Sequence, residues 1–215
     1  VRVDAEELRV KVVGEGANLG FTQAARIAFA RAGGRINTDF IDNSAGVDCS
    51  DNEVNIKILL NPMVTAGTLA PAERDSLLAA MTDDVGAIVL RDNYLQTQAI
   101  SVAETGGAAA APAYARLMQT LEAGGRLNRR IEGLPTDDEI AKRVQAGEGL
   151  VRPELAVLLA YAKIDLYDAL LASPVVDDAV LVPDLEAAFP AILRERHGRE
   201  IGQHRLRREL IATKL

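Results

Sequence analysis

A mainly α fold carrying a small α/β part is predicted by three features of the sequence. Residues 8–60 alternate between short β-branched runs and short helical runs. From Pro71 onward only helical patterns occur. Aromatics make up 4% of the 215 residues and Trp is absent, so the core must be built from Ala, Leu, Val and Ile, which suits closely packed helices. In order, Leu8 to Val13 reads as a buried strand, Gly14 to Gly20 as a loop, and Thr22 to Ala32 as a helix capped by Thr22 and stopped at Gly33-Gly34. Arg35 to Ile41 reads as a second strand, Asp42 to Ser50 as a loop, and Asn52 to Leu60 as a helix stopped by Asn61-Pro62. The strand-helix-strand order suggests parallel strands, an incomplete Rossmann-like segment whose missing strands are expected before Val1. A helical bundle-like region follows. The division expected is residues 1–62 as the α/β part and 63–215 as a helical C-terminal region.

Within that region, Ala72 to Met81 and Asp84 to Ala103 are apolar-rich helices, and Thr105 to Pro112 is a Gly/Ala-rich surface loop. Tyr114 to Ala123 ends at Gly124-Gly125. Thr136 and Glu139 form a capping-box pattern opening a helix that ends at Gly147. Pro153 opens the clearest helix, with Leu155, Leu158, Leu159, Ala162, Leu166 and Leu170 on one buried face and Ser173-Pro174 as its stop. Two further helices follow Pro183, broken near Pro190.

A hydrophobic fraction of 48% supports a real core. The net charge of -7 argues against nucleic-acid binding, which needs cations against phosphate. No apolar run is long enough for a membrane span. A single Cys and no signal-like start point to the cytoplasm. The start on Val1 and the end inside a helical pattern suggest a piece of a longer polypeptide.

Candidate chemistry concentrates in two stretches. Gly14-Glu15-Gly16-Ala17-Asn18 follows a strand, where glycines admit a ligand to the backbone and Asn18 offers a donor and an acceptor. It reads equally as a plain strand-to-helix turn. It is not the G-x-G-x-x-G fingerprint, because position 19 is Leu19. In the second stretch, Ser50 with Glu53 fits a capping box, and the same helix N-terminus with its hydroxyl could receive a carboxylate. Asp39, Asp42, Asp48 and Asp51 lack calcium-loop spacing, so no metal site is assigned. Cys49 reads as a small buried residue, and His197 and His204 as exposed or capping residues. The Arg194 to Arg208 cluster, interleaved with Glu, reads as the solvated or interface face of an amphipathic helix.

Gly14 to Asn18, Gly33 to Asp51 and the run Gly149-Leu150-Val151-Arg152-Pro153-Glu154-Leu155-Ala156-Val157-Leu158-Leu159-Ala160-Tyr161 resemble the bacterial large NAD-specific glutamate dehydrogenases. The likeness covers essentially the whole chain and extends more weakly to the shorter hexameric glutamate dehydrogenases. These carry Glu-Gly-Ala-Asn after a strand and an Asn-Ala-Gly-Gly-Val-x-x-Ser-x-x-Glu run. The resemblance implies NAD as cofactor, with Gly16, Ala17, Asn18 and Asn43 on the cofactor side, Asn18 near the nicotinamide ribose and Asn43 beside the nicotinamide end. It implies Val47 lining the pocket and Ser50 holding the side-chain carboxylate of L-glutamate. Ala45 departs from the first Gly of the hexameric run. The family's catalytic Lys and Asp and its glycine-rich dinucleotide turn have no counterpart here, so no catalytic residue is assigned and the chain alone is expected to be inactive. Expected partners are L-glutamate or 2-oxoglutarate and the remainder of the parent polypeptide, in a full-length homo-oligomer. The alternative is a non-catalytic helical module serving oligomerisation or regulation.

Overall fold

The computed structural model describes residues 3–215; Val1 and Arg2, the start of the first predicted domain, lie outside the described residues. The helices are α1 (Gln23–Arg31), α2 (Asp39–Asp42), α3 (Ser44–Thr65), α4 (Pro71–Ala80), α5 (Thr82–Thr105), α6 (Gly107–Ala123), α7 (Arg129–Glu132), α8 (Asp137–Gln145), α9 (Arg152–Ala172), α10 (Val182–Ala187), α11 (Ala191–Gly202) and α12 (Arg207–Lys214). Single 3-10 turns occur at Ala5–Glu7, Val175–Asp177 and Ala179–Leu181.

The Rossmann-like strand-helix-strand prediction is overturned: among the described residues there is no strand, and the fold is helical. Leu8 to Val13 and Arg35 approach in parallel through one isolated bridge, Val12 with Arg35. The Arg35 N–H donates to the Lys11 carbonyl and the Val13 N–H to the Arg35 carbonyl, each at 2.9 Å. The ladder stops there because the backbone turns at Thr38, whose carbonyl accepts the Asp42 N–H and opens α2 where the second strand was expected. A two-stranded parallel pair without a covered face does not persist as a sheet, and Val10 and Val12, expected to be buried, are exposed.

The expected loop at 42–50 is mostly helix, since α3 begins at Ser44. Ser, Ala and Gly in a first helical turn look like loop composition, but that turn's N–H groups lack intrahelical partners in any case. Pro62 does not stop α3, which runs on to Thr65; placed in the last turn, it deprives only the Ile58 carbonyl of a partner. The predicted loop at 105–112 lies largely in α6, which starts at Gly107 in a left-handed conformation (φ +49°) and carries Pro112 inside it. Thr22 caps α1 by accepting the Ala25 N–H at 3.2 Å, and Thr136 with Glu139 forms the expected capping box of α8. The predicted one-sided face of α9 is replaced by burial of every residue from Pro153 to Leu158, while Leu166 is exposed.

The chain forms two compact units, each assembled from two segments. One comprises the chain up to Ser44 together with Asn93–Ile164; the other comprises Ala45–Asp92 and Asp165–Leu215. The first is centred on Ile41, Ile100, Met118, Leu121, Ile140 and Leu155. The second is centred on Leu59, Leu60, Met81, Phe189, Leu193 and Ile211. Among the described residues no helix is long and apolar enough to cross a membrane.

Candidate functional site

The loop between Val13 and α1 is held from beneath by a buried charge network. Arg26, on the inward face of α1 with Phe29, reaches Glu15 through Nε (2.6 Å) and Nη2 (2.9 Å), and Asp39 through Nη2 (3.2 Å). All three side chains are nearly excluded from solvent. The carboxylates' remaining capacity is used by the loop backbone: Phe21 N–H donates to Glu15 Oε1 (3.0 Å), and Leu19 N–H donates to Asp39 Oδ2 (2.7 Å). Charge-assisted bonds of this kind are short and geometrically specific. Arg26 is raised above its ordinary value by its bond to Glu15, against burial. Burial pushes the Asp39 carboxyl up, but the Leu19 N–H and the Arg26 charge outweigh it and hold it below the ordinary carboxylate value. Leu19 is left-handed (φ 59°) and 84% exposed, a strained state for a leucine, kept by its bond to Asp39.

A second carboxylate grips the start of the loop. Asp42 Oδ2 accepts the Glu15 N–H at 2.9 Å, and Asp42 Oδ1 accepts from Asn37 Nδ2 at 2.8 Å. Above these anchors Gly16, Ala17 and Asn18 are exposed, and a Cβ built on Gly14 or Gly16 would meet nothing within 4 Å. Asn18 and Asn43 are brought together: Asn43 Nδ2 donates to Asn18 Oδ1. That leaves an amide donor on Asn18 and an amide acceptor on Asn43 side by side.

Val47 and Ser50 lie three residues apart on α3, hence on one face of it, and both are exposed. Ser50 is not an N-cap: α3 begins at Ser44, so the Ser50–Glu53 capping box does not form. Between them, burial and the neighbouring Asp92 carboxylate push the Asp48 carboxyl up from its ordinary value. Cys49, in the second turn of α3, is exposed and not buried as expected.

His204 also departs from expectation. It is buried, with Nε2 3.1 Å from the Asn55 carbonyl oxygen, Nδ1 accepting the Leu206 N–H at 3.1 Å, and its ring 5.4 Å from that of Phe189. These partners fix the neutral Nε2–H tautomer, and burial pushes the imidazole below its ordinary 6.5.

Sequence reasoning missed Arg26 altogether, quoted Glu15 only as part of the Gly14–Asn18 stretch, and weighed Asp39 and Asp42 only as metal ligands. One signal was available: an arginine three residues before a phenylalanine, on the face of a short helix that must turn inward, requires a buried carboxylate.

Residues 1–103 match the model of the bacterial NAD-glutamate dehydrogenase catalytic domain, and residues 147–215 match the glutamate dehydrogenase C-terminal model. The NAD-specific glutamate dehydrogenase of Pseudomonas aeruginosa is 55% identical over all 215 residues. Those of Halomonas elongata and Mycobacterium tuberculosis are each 48% identical over the same span. The chain spans 13% of the length of each of these relatives. On these matches, the chain belongs to the bacterial NAD-glutamate dehydrogenase family.

Proposed function

We propose that the polypeptide containing this chain is an NAD-dependent glutamate dehydrogenase, converting L-glutamate to 2-oxoglutarate and ammonia in the cytoplasm. Residues 1–62 end its catalytic portion and supply one wall of the site; residues 63–215 form its helical C-terminal region. The full-length enzyme is a homo-oligomer. The reading rests above all on the Asn18–Asn43 amide pair carried by a loop that carboxylates anchor. A juxtaposed amide donor and acceptor suit a carboxamide such as that of nicotinamide, and the open space over Gly14 and Gly16 leaves room for close approach to the backbone. The residues present therefore fit the cofactor.

When bound, NAD accepts the hydride from the substrate α-carbon. This chain's part is to bind and orient: Gly16, Ala17, Asn18 and Asn43 on the cofactor side, Val47 and Ser50 toward the substrate. Ser50 holds the side-chain carboxylate of glutamate with its hydroxyl as donor, and Val47 shapes the pocket wall. The general acid-base groups belong to the rest of the polypeptide.

Glutamate-dependent NAD reduction by the full-length protein, wild type against Ser50→Ala, tests the assignment. Loss of a hydrogen bond to a charged group should lower kcat/KM for glutamate roughly 10- to 150-fold with KM for NAD unchanged. An unchanged rate removes Ser50 from the site, and an inactive wild type overturns the dehydrogenase reading.

A further inference from the structure

We propose that Arg152 is a positioning residue for the Gly14–Asn18 loop, acting through Asn37 and Asp42; its functional consequence rests on the reading of that loop as the cofactor side of the site. Arg152 Nε donates to Asn37 Oδ1 at 2.9 Å. The other end of the same amide, Asn37 Nδ2, donates to Asp42 Oδ1 at 2.8 Å, and Asp42 Oδ2 accepts the Glu15 N–H at 2.9 Å. Four groups thus form one unbroken line from the start of α9 to the second residue of the loop, all within the first unit. Arg152 lies in the stretch matched by the C-terminal model and Glu15 in the stretch matched by the catalytic-domain model, so the line runs between the two matched regions.

The amide orientation at Asn37 carries the argument. Its carbonyl must face a cation and its NH2 must face the Asp42 carboxylate; the reverse orientation would set oxygen against oxygen. Arg152 enforces that choice and is itself held rigidly. Its side chain is 18% exposed, and its Nη1 donates to Ser101 Oγ and pairs with Glu104 Oε2, each at 3.0 Å. The turn that carries it is also fixed. Glu154, with no solvent exposure, accepts the Val151 N–H (2.9 Å) and pairs with Arg143 (2.7 Å). The Pro153 carbonyl accepts from Gln23 Nε2 at 3.1 Å. A Cβ on Gly149 would lie 2.6 Å from the Gly107 backbone, so the turn packs against the start of α6 with no space to spare. The planar fork serves Asn37 and Glu104 with different nitrogens, which a lysine's single ammonium cannot reproduce.

This predicts a separation between charge and fork. In the full-length protein, Arg152→Lys keeps a partner for Glu104 but loses the bond to Asn37, whereas Glu104→Ala removes the ion pair and leaves the relay intact. Hydrogen exchange of the Glu15 amide should accelerate roughly 5- to 10-fold in Arg152→Lys and in Asn37→Ala, and remain at the wild-type rate in Glu104→Ala. The double variant Arg152→Lys/Asn37→Ala should exchange no faster than either single variant, because both break one line. KM for NAD should rise by a similar factor with kcat little changed. Wild-type exchange at Glu15 in Arg152→Lys, or equal acceleration in Glu104→Ala, overturns the proposal, and Asn37→Ala supplies the same test should Arg152→Lys fail to fold. Accelerated exchange with an unmoved KM for NAD upholds the relay and overturns the cofactor reading of the loop.

Discussion

Around Arg26 the first unit buries a cation between two carboxylates, and their spare oxygens hold the backbone of an exposed loop. Around Phe189 the second unit buries Leu185, Leu193, Ile201 and Ile211, with His204 as its neutral polar neighbour. The contrast separates two ways of fixing structure. Apolar contact is non-directional and rewards volume filled, so it fixes helices but tolerates small rotations. Charge-assisted bonds specify angle and distance, which a loop of glycines and small polar residues cannot obtain from packing. The energetic balance differs accordingly: buried ions add little net stability when complete, yet losing one member leaves the others unpaired and dry.

Arg26→Met should have the largest effect. It strands Glu15 and Asp39 in a buried site, and should destabilise the first unit by about 3–5 kcal/mol in urea unfolding, with the loop amides of Leu19 and Phe21 losing protection first. A loss below about 1 kcal/mol would mean that water reaches the network and the loop is held otherwise. Leu193→Ala is the counterpart in the second unit. The residue has no solvent exposure, and its truncation should cost about 2–5 kcal/mol, varying with how far the cavity collapses. It should leave exchange at Leu19 unchanged, since no ion is disturbed.

Acid provides the smallest and most selective perturbation. Folding lowers the pKa of His204 below its ordinary 6.5, so its contribution is fully present above that value. It declines as pH falls from there toward the folded-state value, by at most about 1.4 kcal/mol per pH unit. Asp39 is also lowered, from an ordinary 3.8, so its contribution is full above 3.8 and lost only below. The protection factor of the Leu206 amide, whose N–H donates to His204 Nδ1, should therefore fall below about pH 6.5 while that of Leu19 holds to about pH 4. Simultaneous loss would show that both amides open in one step.

What the sequence made legible was whatever depends on neighbours in the chain. Thr22, Thr136 with Glu139, and the Gly124-Gly125 stop involve partners within a few residues, and each lies where the pattern placed it. The two predicted strands failed because β-branched runs form sheets only with cross-strand partners, and local composition carries no information about those. Ser44 to Ser50 reads as a loop by composition and folds as helix for tertiary reasons. At the candidate site, the pattern drew attention to the Gly16–Asn18 and Asn43 stretches but not to Arg26, whose partners lie 11 and 13 residues away in sequence. Nor did it suggest Arg152, which meets Asn37 across a separation of 115 residues.

The division of each unit into two chain segments has a consequence for synthesis. The segment ending at Ser44 is completed only by Asn93–Ile164, so the whole of Ala45–Asp92 must be made before the Asn37 side chain can meet Arg152. Arg152 follows Asn37 by 115 residues, so at elongation rates of roughly 5–20 residues per second the wait lasts on the order of 6–23 seconds. Throughout it the nascent Glu15, Arg26 and Asp39 have one another but not the turn at 149–154, and the apolar side of α1 stays uncovered. Pausing the ribosome within this window would leave a species recognisable to chaperones, and a synonymous change that shortens or lengthens it would alter yield without altering the finished molecule.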